Sequence, residues 1–313
     1  MIEKTYKNGV NAVFNGESYR WVDDVVQCGV AVLDSQTGAV LAIGNGRNIN
    51  GRTSTSERIQ NYATDIDRQP GSTAKPIFDY GPGIEYNNWS TYTLFTDGPY
   101  SYSNGRSIKN WDNGYFGTIT LRHALYSSRN IPALKAFQQV DNKKIIEFAT
   151  NLGIQPEIEG GKIHEAHSIG AFTGVSPIEM AAAYAAFSNG GYYNEPFSVK
   201  KIVFRSTGEE IEHSDENYVI HRKAMSEATA YMIADILQDT VLNGGGTPKN
   251  LAVKTGTTNF DAEYMKKKKL PGDAIRDSWA VGFTTQTVMA MWYGYDYADP
   301  VYCLRNLPSS IEK

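Results

Sequence analysis

Apolar and polar positions alternate with a period of two near both ends of the chain, and they recur with helical spacing in between. Near the start, VQCGVAVLD (residues 26–34) and AVLAIG (residues 39–44) flank the turn residues Ser35, Gln36, Thr37 and Gly38, which predicts a β-hairpin. In its first strand Val30 and Val32 fall on one face and Ala31 and Leu33 on the other, so both faces are apolar. Near the far end, TVMAMWYGY sets Val288, Ala290 and Trp292 opposite Met289, Met291 and Tyr293 in the same way. Strands apolar on both sides predict a sheet covered on both faces.

The middle of the chain reads as helix. GVSPIEMAAAYAAFSNGG has Ser176 as N-cap, Pro177 in the first position, Glu179 closing a capping box, and Gly190 and Gly191 as the stop. It is apolar almost all round, as expected of a helix buried in a large domain. A second helix is expected over residues 226–242, halting at Gly244, Gly245 and Gly246. Two strand-like pieces follow, LAVKTGTTN and SWAVGFTTQ. The chain therefore leaves a sheet, builds a helical lobe and returns, which leaves a cleft between lobe and sheet as the natural place for a site. The Gly-, Asn- and Ser-rich stretch FTDGPYSYSNGRSIKNWDNGYFG is expected to be loop, and residues 1–20, polar and aperiodic, a linker.

Composition narrows the reading. The 313 residues are 41% hydrophobic and 20% charged, ordinary for a folded protein, and the net charge of -4 with no basic stripe gives a nucleic-acid partner no footing. Residues 266–269, all lysine, are expected to form a solvated loop. No apolar run reaches the ~18 residues that would span a membrane. Cys28 and Cys303 are too few for a disulfide framework and lack metal-ligand spacing; His164 and His167 lack a third ligand and read as a polar surface segment. No metal or cofactor is expected.

Chemistry enters at DRQPGSTAKPIFDY. After the Pro70-Gly71 break a helix is predicted to begin near Ser72, which brings Lys75, three residues on, to the same face and within hydrogen-bond reach of the Ser72 hydroxyl. Alone, Ser72 reads equally well as an N-cap. Two other stretches change its weight. LYSSRNIPALKAF holds Ser128 and Asn130 at the start of a helical segment, and AVKTGTTNF holds Lys254, Thr255 and Gly256 toward the end of a strand.

An SxxK, an SxN and a KTG in that order resemble the signature set of penicillin-binding proteins and serine β-lactamases. RQPGSTAKP, GYFGTITLRHALYSSRNIPALK, GVSPIEMAAAYAAFSNGG and VKTGTT together are similar to the transpeptidase domain of class A, bifunctional penicillin-binding proteins, over about residues 27–296. The resemblance implies an α/β chain of the α+β type: a mainly antiparallel sheet with helices on both faces, plus an all-helical lobe. It also implies a D,D-transpeptidase that cleaves the terminal D-Ala-D-Ala bond of peptidoglycan stem peptides and is acylated by β-lactam antibiotics. By that family's pattern Ser72 is the nucleophile, Lys75 its base, and Ser128 a proton relay between Lys75, Lys254 and the leaving amine. Asn130 holds the substrate backbone, and Lys254, Thr255 and Thr257 bind the terminal carboxylate. Gly256 lets substrate backbone lie close, and the amides of Ser72 and Thr257 hold the oxyanion.

The same resemblance implies a native protein at the extracytoplasmic face of a bacterial membrane, anchored there and carrying an N-terminal glycosyltransferase domain that these residues do not supply. Residues 21–313 are expected to form the transpeptidase domain. The Ser309 and Glu312 pair reads as a capping box opening a C-terminal helix that is cut within its first turn. A lysine-rich insert separates KTGTTN from DSWAVGF. The rival readings are a serine β-lactamase, which needs a glutamate to activate the deacylating water, and a non-catalytic β-lactam sensor or scaffold.

Overall fold

The computed structural model describes residues 12–14, 19–21, 25–47, 60–212, 221–243 and 250–305. In chain order the principal elements are strands β1 (Gln27–Asp34) and β2 (Val40–Gly44), then a continuous helical segment over residues 71–87 whose last part is α1 (Gly81–Asn87). Next come α2 (Leu121–Tyr126), α3 (Asn130–Gln139), α4 (Asn142–Asn151), α5 (Pro177–Ser188) and α6 (Glu227–Asn243). The chain then forms β3 (Ala252–Asn259), α7 (Ala262–Lys268), β4 (Ile275–Phe283) and β5 (Thr287–Gly294).

The five strands make one antiparallel sheet in the order β3-β4-β5-β1-β2. The hairpin expected from the alternation, β1 with β2, is present; β4 and β5 form a second, and the chain does leave between the two to build the helical lobe. The register sets Leu33 beside Val288, Ala31 beside Ala290 and Trp279 beside Trp292 on the inner face. On that face α5 crosses β1 and β5 while α6 lies along β3. The Ser176 and Glu179 capping box is formed, and nine residues of α5 are buried, which is why its sequence is apolar all round. A single apolar core runs from Leu33 and Trp279 through α5 to Phe78, Phe137 and Phe148 in the lobe.

The outer face is covered differently. Tyr293, Met291 and Cys28 pack under Tyr302 and Leu304, and Tyr264 and Met265 of α7 pack with Leu270, Ala298 and Cys303. Neither Cys28 nor Cys303 is in a disulfide. The lysine run at residues 266–269 is the end of α7 and its left-handed cap, Lys269, and not a loop; Asp261 caps the other end by accepting from the Tyr264 amide. The Gly-rich stretch expected to be loop carries two short ribbons, Leu94–Asp97 with Gly117–Thr120 and Tyr100–Ser101 with Ser107–Ile108. Within the stretch read as linker, Ala12–Phe14 pairs with Tyr19–Trp21. Residues 244–246 and the Ser309 and Glu312 pair lie outside the described residues.

One contact brings sheet and lobe together. Strand β3 lies at the sheet edge with its inner side against residues 70–74, and a Cβ on Gly256 would stand 2.2 Å from the Pro70 carbonyl oxygen. From the other side, a Cβ on Gly71, whose φ is +56°, would stand 2.7 Å from the Thr257 carbonyl oxygen. Neither clash can be relieved by a side-chain rotation, because both neighbours are backbone. Replacing Gly256 with Ala should therefore lower unfolding free energy by about 1–3 kcal/mol, the usual cost of overpacking, measurable by urea denaturation. Parent-like stability would show that the strand can step back freely.

Candidate active site

The segment that carries Ser72 is not one regular helix. Gly71–Ala74 is a 3-10 turn, Pro76–Tyr80 a π turn, and only Gly81–Asn87 is α-helical. Proline accounts for the change of pitch: Pro76 has no N–H for the Ser72 carbonyl, which instead accepts from the Lys75 amide, three residues on. The coil then widens until the Gly81 amide bonds the Pro76 carbonyl, five residues back. A 3-10 turn eclipses positions three apart, so Ser72 and Lys75 stack more closely than an α-helix would place them. The backbone is pinned from three directions. Thr73 Oγ1 donates to the Pro70 carbonyl at 2.7 Å, Tyr184 of α5 donates to the Thr73 carbonyl at 2.7 Å, and the Trp279 indole of β4 donates to the Gln69 carbonyl at 2.9 Å.

Lys75 is fully buried, with an exposure of 0%. Its ammonium nitrogen bonds the Ser128 carbonyl at 2.7 Å, the Asn130 Oδ1 at 2.8 Å and the Ser128 Oγ at 3.3 Å. The expected hydrogen bond to Ser72 is not among these; the half-buried Ser72 hydroxyl is left for an incoming group. Lys254, 1% exposed, reaches the same Ser128 Oγ from the sheet at 2.9 Å and also bonds the Thr255 carbonyl at 2.8 Å. Three distant pieces of chain thus meet at one hydroxyl.

Burial pushes the Lys75 amine well below the usual lysine range, and the positive charges of Lys254 and Arg129 push the same way against the opposing effect of Asp79. Asp79 is itself enclosed, with neither carboxylate oxygen hydrogen-bonded, and burial raises its carboxyl well above the ordinary range. A neutral acid beside a neutral amine is the arrangement that such enclosure favours.

The edge strand divides its residues by alternation. Lys254, Gly256 and Thr258 face the lobe, whereas Thr255, half-buried, and Thr257, exposed, lie on the outer face. The close approach that Gly256 permits is therefore to Pro70 and Thr73 of this chain, because its missing Cβ points inward and not toward the open edge.

Two histidines read as one polar segment part company. His164 is exposed and pairs with Glu159, but His167 is 1% exposed, stacks on Phe172 at 4.9 Å and donates from Nδ1 to the His164 carbonyl at 2.9 Å. Among the described residues no group of three His, Cys, Asp or Glu could hold a metal ion. Sequence reasoning missed Arg129, Asp97 and Asn110, which bind the turn between Ser128 and Asn130 to the ribbons over residues 94–117. The one signal was an arginine at the middle of the SxN motif, just before an apolar helix.

Comparison with known proteins agrees with this architecture. The model of the penicillin binding protein transpeptidase domain family matches residues 28–296. The chain is 46% identical over 279 residues to penicillin-binding protein 1A/1B of Bacillus subtilis (strain 168), covering 86% of this chain and 29% of that protein. It is 37% identical over 299 residues to penicillin-binding protein 1A of Streptococcus oralis, covering 90% of this chain and 45% of the other. The chain thus spans less than half the length of these curated relatives. The solved structure of the PonA1 protein from Mycobacterium tuberculosis in complex with penicillin V matches with a TM-score of 0.76 over 99% of this chain and 79% of that one, a likeness of fold at 22% identity.

His167 supplies a test of the packing beside the nucleophile segment. Burial lowers its pKa from 6.5 to about 4. Between those values the unfolded chain binds a proton that the folded chain refuses, so stability falls as pH drops from 6.5 and levels off below about 4. In melting curves across that window, His167→Phe should show a smaller acid loss than the parent. An equal loss in both would mean that the ring is not held neutral.

Proposed function

The chain belongs to the penicillin-binding protein transpeptidase domain family, and from that premise we propose that it is a serine D,D-transpeptidase of peptidoglycan stem peptides, acylated at Ser72 by β-lactam antibiotics. The observation that carries the reading is the Ser128 hydroxyl held between the nitrogens of two enclosed lysines, at 3.3 Å from Lys75 and 2.9 Å from Lys254. A hydroxyl bridged in this way passes a proton between lysines without either moving far.

In the proposed reaction Ser72 Oγ forms a bond to the penultimate D-Ala carbonyl carbon while its proton passes to the neutral Lys75 amine. The backbone amides of Ser72 and Thr257 hold the oxyanion. As the carbon–nitrogen bond to the terminal D-Ala breaks, the leaving nitrogen takes a proton from Ser128, which is refilled from a lysine. The amine of a neighbouring stem then forms a bond to the acyl carbon as the bond to Ser72 Oγ breaks, and the proton the amine loses passes through the Lys75 amine to Ser72 Oγ, which frees the serine.

Asn130 and the open edge of β3 hold the substrate backbone as an added strand. Lys254, Thr255 and Thr257 take the terminal carboxylate, the two threonines reaching it over the rim of the strand. The proposal extends to the native setting: the extracytoplasmic face of a bacterial membrane, in an anchored protein with an N-terminal glycosyltransferase domain. No helix among the described residues is long and apolar enough to cross a membrane.

Glu165 supports transfer over β-lactamase turnover. It is the only carboxylate in the turn Glu165–Ile169 that packs on the nucleophile segment, and its oxygens are engaged by the Ser103 amide and hydroxyl and by Gln138. Desolvation raises its pKa, but the hydrogen bonds from Ser103 and Gln138 outweigh that and lower it, which makes the carboxylate a weaker base for a water.

Intact mass after exposure to benzylpenicillin should show one long-lived adduct on the parent and none on Ser72→Ala, and a donor stem peptide with an acceptor amine should give a cross-linked product. Rapid loss of the adduct would indicate a β-lactamase; a stable adduct without any transfer would indicate a sensor. Acylation should slow as pH falls through the depressed Lys75 pKa, because protonation removes the base. Lys75→Met should lower the acylation rate by ~10²–10⁴-fold.

A further inference from the structure

The residue between Ser128 and Asn130 has no part in the chemistry above, yet it is the most tightly held side chain near the site. Arg129 is 0% exposed. Its Nε donates to Asp97 Oδ2 at 2.9 Å and its Nη1 to Asp112 Oδ2 at 2.8 Å, while Nη2 donates to the Gly114 carbonyl. The guanidinium carbon lies 4.0 Å from the centre of the Phe116 ring. All of these partners belong to the segment over residues 97–116, so one planar fork ties that segment to the active-site turn.

The turn needs such a tie. Ser128 has a φ of +56°, a left-handed conformation that a serine does not adopt unaided. This conformation lets its carbonyl and its hydroxyl face Lys75 together. The same segment braces the residues on either side. Asn110 accepts from the amides of Asn130 at 2.9 Å and Ile131 at 3.2 Å, and the Trp111 indole donates to the Ser127 carbonyl at 3.2 Å. Asn110 is in turn held by Asp97 at 2.6 Å, so Asp97 joins the two sets of contacts.

We propose that Arg129 is a positioning residue for acyl transfer: its fork to Asp97, Asp112 and the Gly114 carbonyl locks Ser128 in the left-handed turn that holds its hydroxyl between Lys75 and Lys254. The inference rests on the acyl-transfer reading of the site. Arginine is required by the geometry, since a lysine ammonium cannot span two carboxylates and a carbonyl in one plane. The guanidinium charge adds a second effect. The charged groups that act on Lys75 are Lys254 from β3, Asp79 from its own segment and Arg129 from the turn before α3, and removal of Arg129 takes away one of the two cations that favour the neutral amine.

The test is the acylation rate constant for benzylpenicillin, measured per titrated active site across pH, with the parent and Ser72→Ala as references. Arg129→Lys keeps the charge and loses the fork, so its rate should fall about 10-fold or more with the acid limb of the pH profile unmoved. Arg129→Met loses both; its rate should fall by about 100-fold, the scale of an ångström-sized misplacement, and its acid limb should move to higher pH. A purely structural role would reduce the titratable fraction and the melting temperature without changing the rate per site or the limb. Parent-like rates per site in Arg129→Met, or an unmoved limb, would overturn the proposal. Should either variant fail to fold, Asp112→Asn loosens the fork from a partly exposed position. It should slow acylation several-fold with the fold intact, and a parent-like rate there would equally overturn it. An unacylated parent would instead refute the acyl-transfer reading.

Discussion

The structure turns on the approach of an edge strand to a helix start at a distance that only backbone can tolerate. Pro70, Gly71, Gly256 and Thr257 meet without a single intervening Cβ. That closeness lets Lys254, carried by the strand, reach a hydroxyl that Lys75 reaches from the helix. Two ammonium charges brought to the same hydroxyl repel each other. Enclosure adds a desolvation penalty to each. The least costly escape is for one amine to lose its proton, and Lys75, fully buried and facing a second cation at Arg129, is the one pushed furthest that way. The packing of two glycines is in this sense what favours the neutral form of a lysine.

Asp79 guards that outcome. Placed on the segment that carries Lys75, an ionised carboxylate would hold the proton on the amine and disable it. Asp79 avoids this because burial strips its carboxylate of water and no hydrogen bond reaches its oxygens, which outweighs the attraction of Lys75. The lack of partners, a defect by the ordinary rules of polar burial, here keeps the acid neutral.

How much of this was legible in the sequence depended on whether the cause was local. The capping box of Ser176 and Glu179, the β1–β2 hairpin turn and the strand that carries KTG all follow from near neighbours, and each formed, although KTG sits inside its strand and not at the end the pattern set. The pitch change after Lys75 was also written locally, in Pro76, but a binary apolar pattern does not distinguish 3-10 and π turns from α-helix. Lys75, Ser128 and Lys254 were named from their motifs, whereas their actual bonds depend on contacts between residues 53 and 126 positions apart. His167 and Arg129 were misread or passed over for the same reason. Polar residues look like surface until a distant segment supplies Phe172 or Asp97 to enclose them.

In the proposed function the sheet edge stays open to an extended substrate and yet does not drift from Ser72, and Asp277 reconciles the two. This buried carboxylate accepts from Thr258 of β3 at 2.9 Å and from the Trp292 indole of β5 at 3.0 Å, and it lies 3.6 Å from Arg68, four residues before Ser72. Arg68 also stacks on the Trp292 ring at 4.9 Å. One acid thus joins the edge strand, the sheet's interior and the approach to Ser72 on the strand's inner side. Bracing from within frees the outer edge of β3 from any duty to hold the fold, so its backbone groups and the threonines beside them are available to bind a peptide.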